Sequence, residues 1–143
     1  MNKKIRFVSI FLLLCLLLPS CGKSEPVEEL DPIVGRWEGM DFYVNGISAG
    51  NNYPDLKEMA TGSVVVCSEN GACAMSLNDK EFSGTWETSV STDESKLYVY
   101  VLHLDIDYQA YIKADNKLYV MEHSRKENKD IGVKYKKVDT TEK

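Results

Sequence analysis

The sequence has no apolar run long enough to cross a bilayer comfortably. Its longest, Phe7 to Leu18, is a nearly unbroken stretch of twelve residues, where a spanning helix needs about 20. It has no phosphate-cradling glycine loop and no nucleophile motif of the Ser/His/Asp kind, so nothing marks a nucleotide site, a cofactor site or a hydrolase. Histidine is scarce, at two residues in 143. Basic residues are outnumbered, 17 Lys and Arg against 22 Asp and Glu. No nucleic-acid-binding pattern is present, and the few lysines near the C-terminus do not change that. No catalytic constellation emerges either, and the chain reads as a non-enzyme.

What is present begins with a charged and apolar N-terminus. Lys3, Lys4 and Arg6 precede the apolar run, which ends at Leu18-Pro19-Ser20-Cys21-Gly22. Charge, apolar length and the small residue before Cys21 together describe a signal peptide over residues 1–20. The ending resembles the lipobox of bacterial lipoproteins. That resemblance implies cleavage before Cys21 and acylation of its thiol. Each buried CH₂ of an acyl chain is worth about 0.8 kcal/mol, and stable anchoring takes more than one chain. The expected location is therefore the cell envelope, on the outer membrane, with the bilayer as first partner. Loss of residues 1–20 removes three basic residues and no acid, leaving 14 basic and 22 acidic residues and a net charge of −8. Residues 21–32, acidic and bounded by Pro26 and Pro32, lack a hydrophobic period and read as a tether.

From Ile33 to Val138 the chain reads as all-β, rich in Val, Ile, Tyr and Thr with turn residues at short intervals. The opening strand, Ile33 to Phe42, carries Gly35-Arg36-Trp37-Glu38. Its centre recurs as Gly84-Thr85-Trp86-Glu87. Phe82, Gly84, Trp86, Thr88 and Val90 alternate with polar residues, the clearest two-faced pattern in the chain. The longest interruption, Tyr43 to Ala60, contains Pro54 where one or two helical turns would start. It is either a lid or portal, or a mobile loop. Eight strands result, all joined locally, and local joins favour an up-and-down antiparallel barrel with one short helix in the first long loop. Residues 139–143 form a polar tail.

Cys15 leaves with the signal segment and Cys21 is the lipidation site, so Cys67 and Cys73 remain. An even pair in an exported domain reads as a disulfide. If Glu69-Asn70-Gly71 is a three-residue hairpin loop with Gly71 left-handed, Cys67 faces Cys73 at a non-hydrogen-bonded position, where Cβ atoms approach most closely. A two-residue Asn70-Gly71 turn would put them out of register.

Eight meandering strands opened by Gly35-Arg36-Trp37 resemble the lipocalin-like domains found in bacterial lipoproteins. The resemblance implies that Gly35 and Trp37 sit at the closed base of the barrel, with Trp37 beneath a late basic side chain. Arg125 falls in an expected loop, so a lysine of the last strand is the candidate for that partner.

Candidate chemistry has competing structural explanations. His103, Asp105 and Asp107 share a strand face by their spacing, and with His123 they offer N and O metal ligands. Acids at a strand end also simply mark the turn. Glu38 and Glu87 invite a paired-carboxylate reading, but a Glu beside an inward Trp points outward. Aromatics are more suggestive. Tyr53, Met59, Trp86, Tyr98, Tyr100, Tyr108 and Tyr111 are the candidate lining for a small amphipathic ligand, although small barrels are as readily filled as hollow. The expected function is binding of a small apolar or amphipathic ligand. The alternative is an interaction module for an envelope protein partner, with Tyr43–Ala60 as its contact.

Overall fold

The structure, a computed structural model, describes residues 28–139. The expected signal segment, Cys21 and most of the tether lie outside the described residues, as do residues 140–143.

Alternation in sequence becomes the two faces of a closed sheet. The strands are β1 (Gly35–Val44), the two-residue β2 (Ile47–Ser48), β3 (Val64–Cys67), β4 (Ala72–Leu77) and β5 (Lys80–Ser89). They continue as β6 (Lys96–His103), β7 (Asp107–Lys113), β8 (Lys117–Ser124) and β9 (Lys129–Val138). One helix, α1 (Pro54–Thr61), lies between β2 and β3 and has its proline in the first turn. All pairings are antiparallel. The order runs β1-β3-β4-β5-β6-β7-β8-β9, and β9 returns to β1 from Arg36↔Val138 to Val44↔Ile131. Eight strands thus close an up-and-down barrel, while β2 folds back on the end of β1 through Asn45-Gly46. Both turn residues have positive φ, 50° and 78°, which matches the twist of a two-residue hairpin.

The opening strand starts two residues later than its hydrophobic pattern suggests, because Ile33 turns into the core and is fully buried. A register shift between Gly39 and Asp41 marks a bulge in β1. The extra residue explains how Trp37 and Phe42, of opposite parity, are both buried in the same core. Thr61 is the last residue of α1.

Two glycines permit close backbone approach. A Cβ on Gly39 would collide with the Ala60 carbonyl, so Gly39 lets the end of α1 settle on β1. A Cβ on Gly84 would collide with the His103 carbonyl, at the point where β5 changes partners from β4 to β6.

β8 is buried on both faces. Leu118 and Val120 join the interior core, whereas Tyr119 and Met121 belong to a second cluster with Tyr111. That cluster is cladding on the outer wall. Tyr111 and Tyr119 stack at 5.2 Å with their planes 8° apart, and Tyr43 meets Tyr119 edge-on at 5.5 Å. Lys113 and Lys134 lie 5.1 and 5.2 Å from the Tyr119 ring centre. Lys134 also pairs with Asp115 at 2.9 Å.

Candidate functional site at the barrel mouth

One end of the barrel is plugged by the residues that precede β1. The Trp37 indole donates to the Ile33 carbonyl at 2.7 Å, and the Val34 N–H donates to the Asp31 carbonyl at 2.9 Å. Tyr100 donates its hydroxyl proton to Asp31 Oδ1 at 2.6 Å. Burial and the neighbouring Asp31 carboxylate push the Tyr100 hydroxyl well above the usual tyrosine range, so it remains a donor. Lys137 Nζ lies 5.2 Å from the Trp37 ring centre and donates to the Pro32 carbonyl at 3.0 Å. Gly35 and Trp37 therefore stand together at this end, against a lysine of the last strand.

The hairpin above this base has the three-residue loop. Ser68 N–H donates to the Ala72 carbonyl, Gly71 has φ 84°, and Cys67 pairs with Cys73. The expected disulfide, however, is absent. Both cysteines are free and buried, with their sulfurs 3.2 Å apart, beyond a bond of about 2.05 Å. The register brings the side chains together on the inner face, and they meet there as hydrogen-bonded thiols. The hydrogen bond to Cys73 and burial push the Cys67 thiol far up.

The other end is open and partly roofed by α1. Inside it lies an apolar cavity of about 180 Å³. Phe42, Met75, Tyr108, Val120, Val133 and Tyr135 line it from the strands, and Met59 reaches down from α1. Burial pushes the Tyr135 hydroxyl up to about 12. Tyr108 is also raised, by burial and by Asp105, to which its hydroxyl donates at 3.2 Å. Both phenols therefore stay protonated at neutral pH. Glu122 lines the same cavity and has no ion-pair partner among the described residues. It is the one carboxylate in a lining whose other side chains are apolar or the two tyrosines. Larger hollows, about 590 and 810 Å³, lie among side chains of the outer wall such as Val66 and Ala74, or Lys113 and His123. They are surface grooves between protruding side chains, whereas the smaller cavity is set in the barrel core.

The candidate aromatic lining does not converge on one place. Met59 and Tyr108 meet at the mouth. Tyr53 sits on the rim, edge-on to Phe42 at 6.4 Å. Trp86 and Tyr100 pack against each other at the base, 5.8 Å apart, and the Trp86 indole donates to the Ser68 carbonyl. Tyr98 lies beyond the core at that end and is exposed. Tyr111 belongs to the outer wall. Its parity is opposite to that of Tyr108, so the two cannot share a face of one strand. In the sequence, only the spacing of Glu122 from Leu118 and Val120 signals that it points inward.

The histidines are likewise separate. His103 contacts Asp107 at 2.8 Å and Glu87 at 3.2 Å, while His123 contacts Asp130 at 2.7 Å. Asp105 accepts from Tyr108 instead. Among the described residues no three His, Cys, Asp or Glu side chains gather as a metal site would require. Glu38 pairs with Arg36 at 3.6 Å, on the outside and apart from Glu87. The Tyr43–Ala60 segment is tied to the barrel at several points, although residues 45–48 and 51–55 are exposed. Ala49 and Ala60 are buried, Ser48 donates to Asp41, and Ala49 N–H donates to the Phe42 carbonyl at 2.8 Å.

Comparison of the chain with protein-family profiles, with curated proteins and with solved structures returned no match.

Proposed function

We propose that this protein is a lipid-anchored, lipocalin-like barrel of the cell envelope that takes a small apolar or amphipathic ligand into the barrel mouth. The observation that carries the reading is the cavity under α1, lined mainly by apolar side chains with Glu122 as its one carboxylate. Its volume of about 180 Å³ limits the ligand. A cavity of roughly 150 Å³ accommodates benzene, whereas drug-sized ligands occupy roughly 300–1,000 Å³. The buried part of the ligand is thus one ring or a short alkyl group. A cationic or hydrogen-bond-donating substituent would face Glu122, since a carboxylate accepts only. The tether joins the barrel at the base, the end opposite the mouth. Native mass spectrometry of protein taken from its own envelope tests the reading. A bound small molecule, lost on Val133→Phe, is expected, and a barrel that stays empty with every apolar amine offered overturns it.

The alternative, an interaction module for an envelope protein, draws on the Tyr43–Ala60 segment, where Ile47 and Tyr53 are exposed beside the mouth. Pull-downs with Ile47→Asp and Tyr53→Ser test it, and unchanged partners count against it.

A further inference from the structure

Four of the nine large apolar side chains left exposed among the described residues stand at the base of the barrel. Leu30 is 54% exposed, Val90 94%, Leu97 55% and Tyr98 47%. Val90, Leu97 and Tyr98 border one hollow of about 300 Å³ together with Asp31. Leu30 is the residue next to Asp31 in the chain. These side chains form a rim beside the place where the chain leaves the barrel toward its N-terminus. That place is fixed, because Asp31 is tied to Tyr100 and to Val34.

We infer that this rim rests in the interface of the bilayer to which the protein is anchored. The inference builds on acylation of Cys21 and adds an orientation to it. Nine residue steps separate Cys21 from Leu30. A chain of that length spans at most about 30 Å, so an acylated Cys21 keeps the rim within that distance of the headgroups. An apolar surface held so close gains by leaving water, and the gain needs no specific partner geometry. Tyr98 suits the interface, since tyrosine combines an apolar body with a hydroxyl that stays wet. Lys96 borders the same hollow, and its stem can lie along the lipid while its ammonium reaches water. Acids flank the rim at Glu28, Glu29, Asp31, Asp93 and Glu94. They disfavour a strongly anionic surface, so the docking is apolar in origin and is strongest on zwitterionic lipid. The strands then stand on the membrane by their base, and the mouth exchanges ligand with the aqueous side.

The test uses the full acylated protein in phosphatidylcholine vesicles, with and without bromine on the acyl chains. Leu97→Trp places an indole on the rim. Ile106→Trp places one on the β6–β7 turn, at the other end of the barrel. Docking brings about a twofold loss of emission in the Leu97→Trp protein and none attributable to the new indole in Ile106→Trp, because interfacial side chains reach only about 5–10 Å into the lipid. Val90→Asp, added to Leu97→Trp, reduces the loss while the protein still floats with the vesicles. Equal quenching of both indoles, or none in a protein that floats, overturns the docking and leaves the anchor intact. Failure to float overturns the anchor and the docking together. A dimer in vesicle-free solution that Leu97→Asp dissolves, with no lipid quenching, assigns the rim to a second copy of the chain and overturns the inference.

Discussion

Lys137 holds its ammonium 5.2 Å from the centre of the Trp37 ring and donates a hydrogen bond to the Pro32 carbonyl at 3.0 Å. The last strand thereby clamps both the opening strand and the segment before it. Trp37 is 2% exposed, and its indole N–H is satisfied by Ile33. Removing the ring leaves a void at the point where the barrel closes.

Trp37→Ala is therefore expected to cost about 3–5 kcal/mol. Lys137 is exposed, so Lys137→Gln should cost only about 0.5–1 kcal/mol. Denaturant titration of both variants checks this. A near-neutral Trp37→Ala would show that the base does not depend on the plug.

The mouth makes a prediction about ligand charge. Benzylamine should raise the melting temperature and shift the methyl resonances of Met59 and Met75, which line the cavity. Glu122→Gln should weaken benzylamine about ten- to hundredfold, as expected for loss of a charge-assisted hydrogen bond worth roughly 1.5–3 kcal/mol, and should leave toluene unaffected. Equal loss of both ligands would remove Glu122 from the site.

Backbone approach at Gly84 predicts a steric effect without any loss of contacts. Gly84→Ala sets a methyl against the His103 carbonyl, and overpacking of this kind costs about 1–3 kcal/mol. Gly46, beside which a Cβ would meet nothing within 4 Å, is the control for space. Its φ of 78° still makes alanine there costly, by roughly 1 kcal/mol. Chemical denaturation of the two variants separates collision from backbone strain.

His103 links stability to pH. Its hydrogen bond to Asp107, followed by that to Glu87, raises its pKa above the ordinary histidine value. The protonated form is thus favoured in the folded state. Its contribution is fully present below about 6.5, the unfolded value, and is lost as pH rises through the higher folded value. Asp107→Asn should flatten stability across that window. An unchanged slope would mean that the exposed pair contributes nothing.

The thiols of Cys67 and Cys73 should resist alkylation in the native protein, since both are buried. They should react together once it unfolds. Thiol counting before and after denaturant, without reductant, checks this. Rapid reaction of the native protein would contradict the packing, and no reaction after unfolding would report a covalent bridge.

Much of the fold was legible because strand alternation and turn chemistry are local. The spacing of Phe82, Gly84 and Trp86, the Glu69-Asn70-Gly71 loop and Pro54 each describe their own few residues, and each took the expected form. The site was less legible. Whether an inward side chain meets a cavity, a plug or open water depends on how far along the barrel it sits. Tyr98 and Tyr100 have the same parity, yet one is exposed past the core and the other is 1% exposed and bonded to Asp31.

The sequence by itself pointed to an eight-stranded meander and a short helix in its first long loop, and it made the pairing of Cys67 with Cys73 conditional on a three-residue turn, which the structure contains. These follow from period-two burial and turn residues acting over short distances. Tertiary structure alone decided that Ile33 and Asp31 plug one end. It also placed Tyr111 on the outside and left Glu122 facing the small apolar space under α1. The plug depends on closure of β9 onto β1, which brings together residues about a hundred positions apart, whereas the faces of Tyr111 and Glu122 follow strand parity, and only packing shows what each face meets.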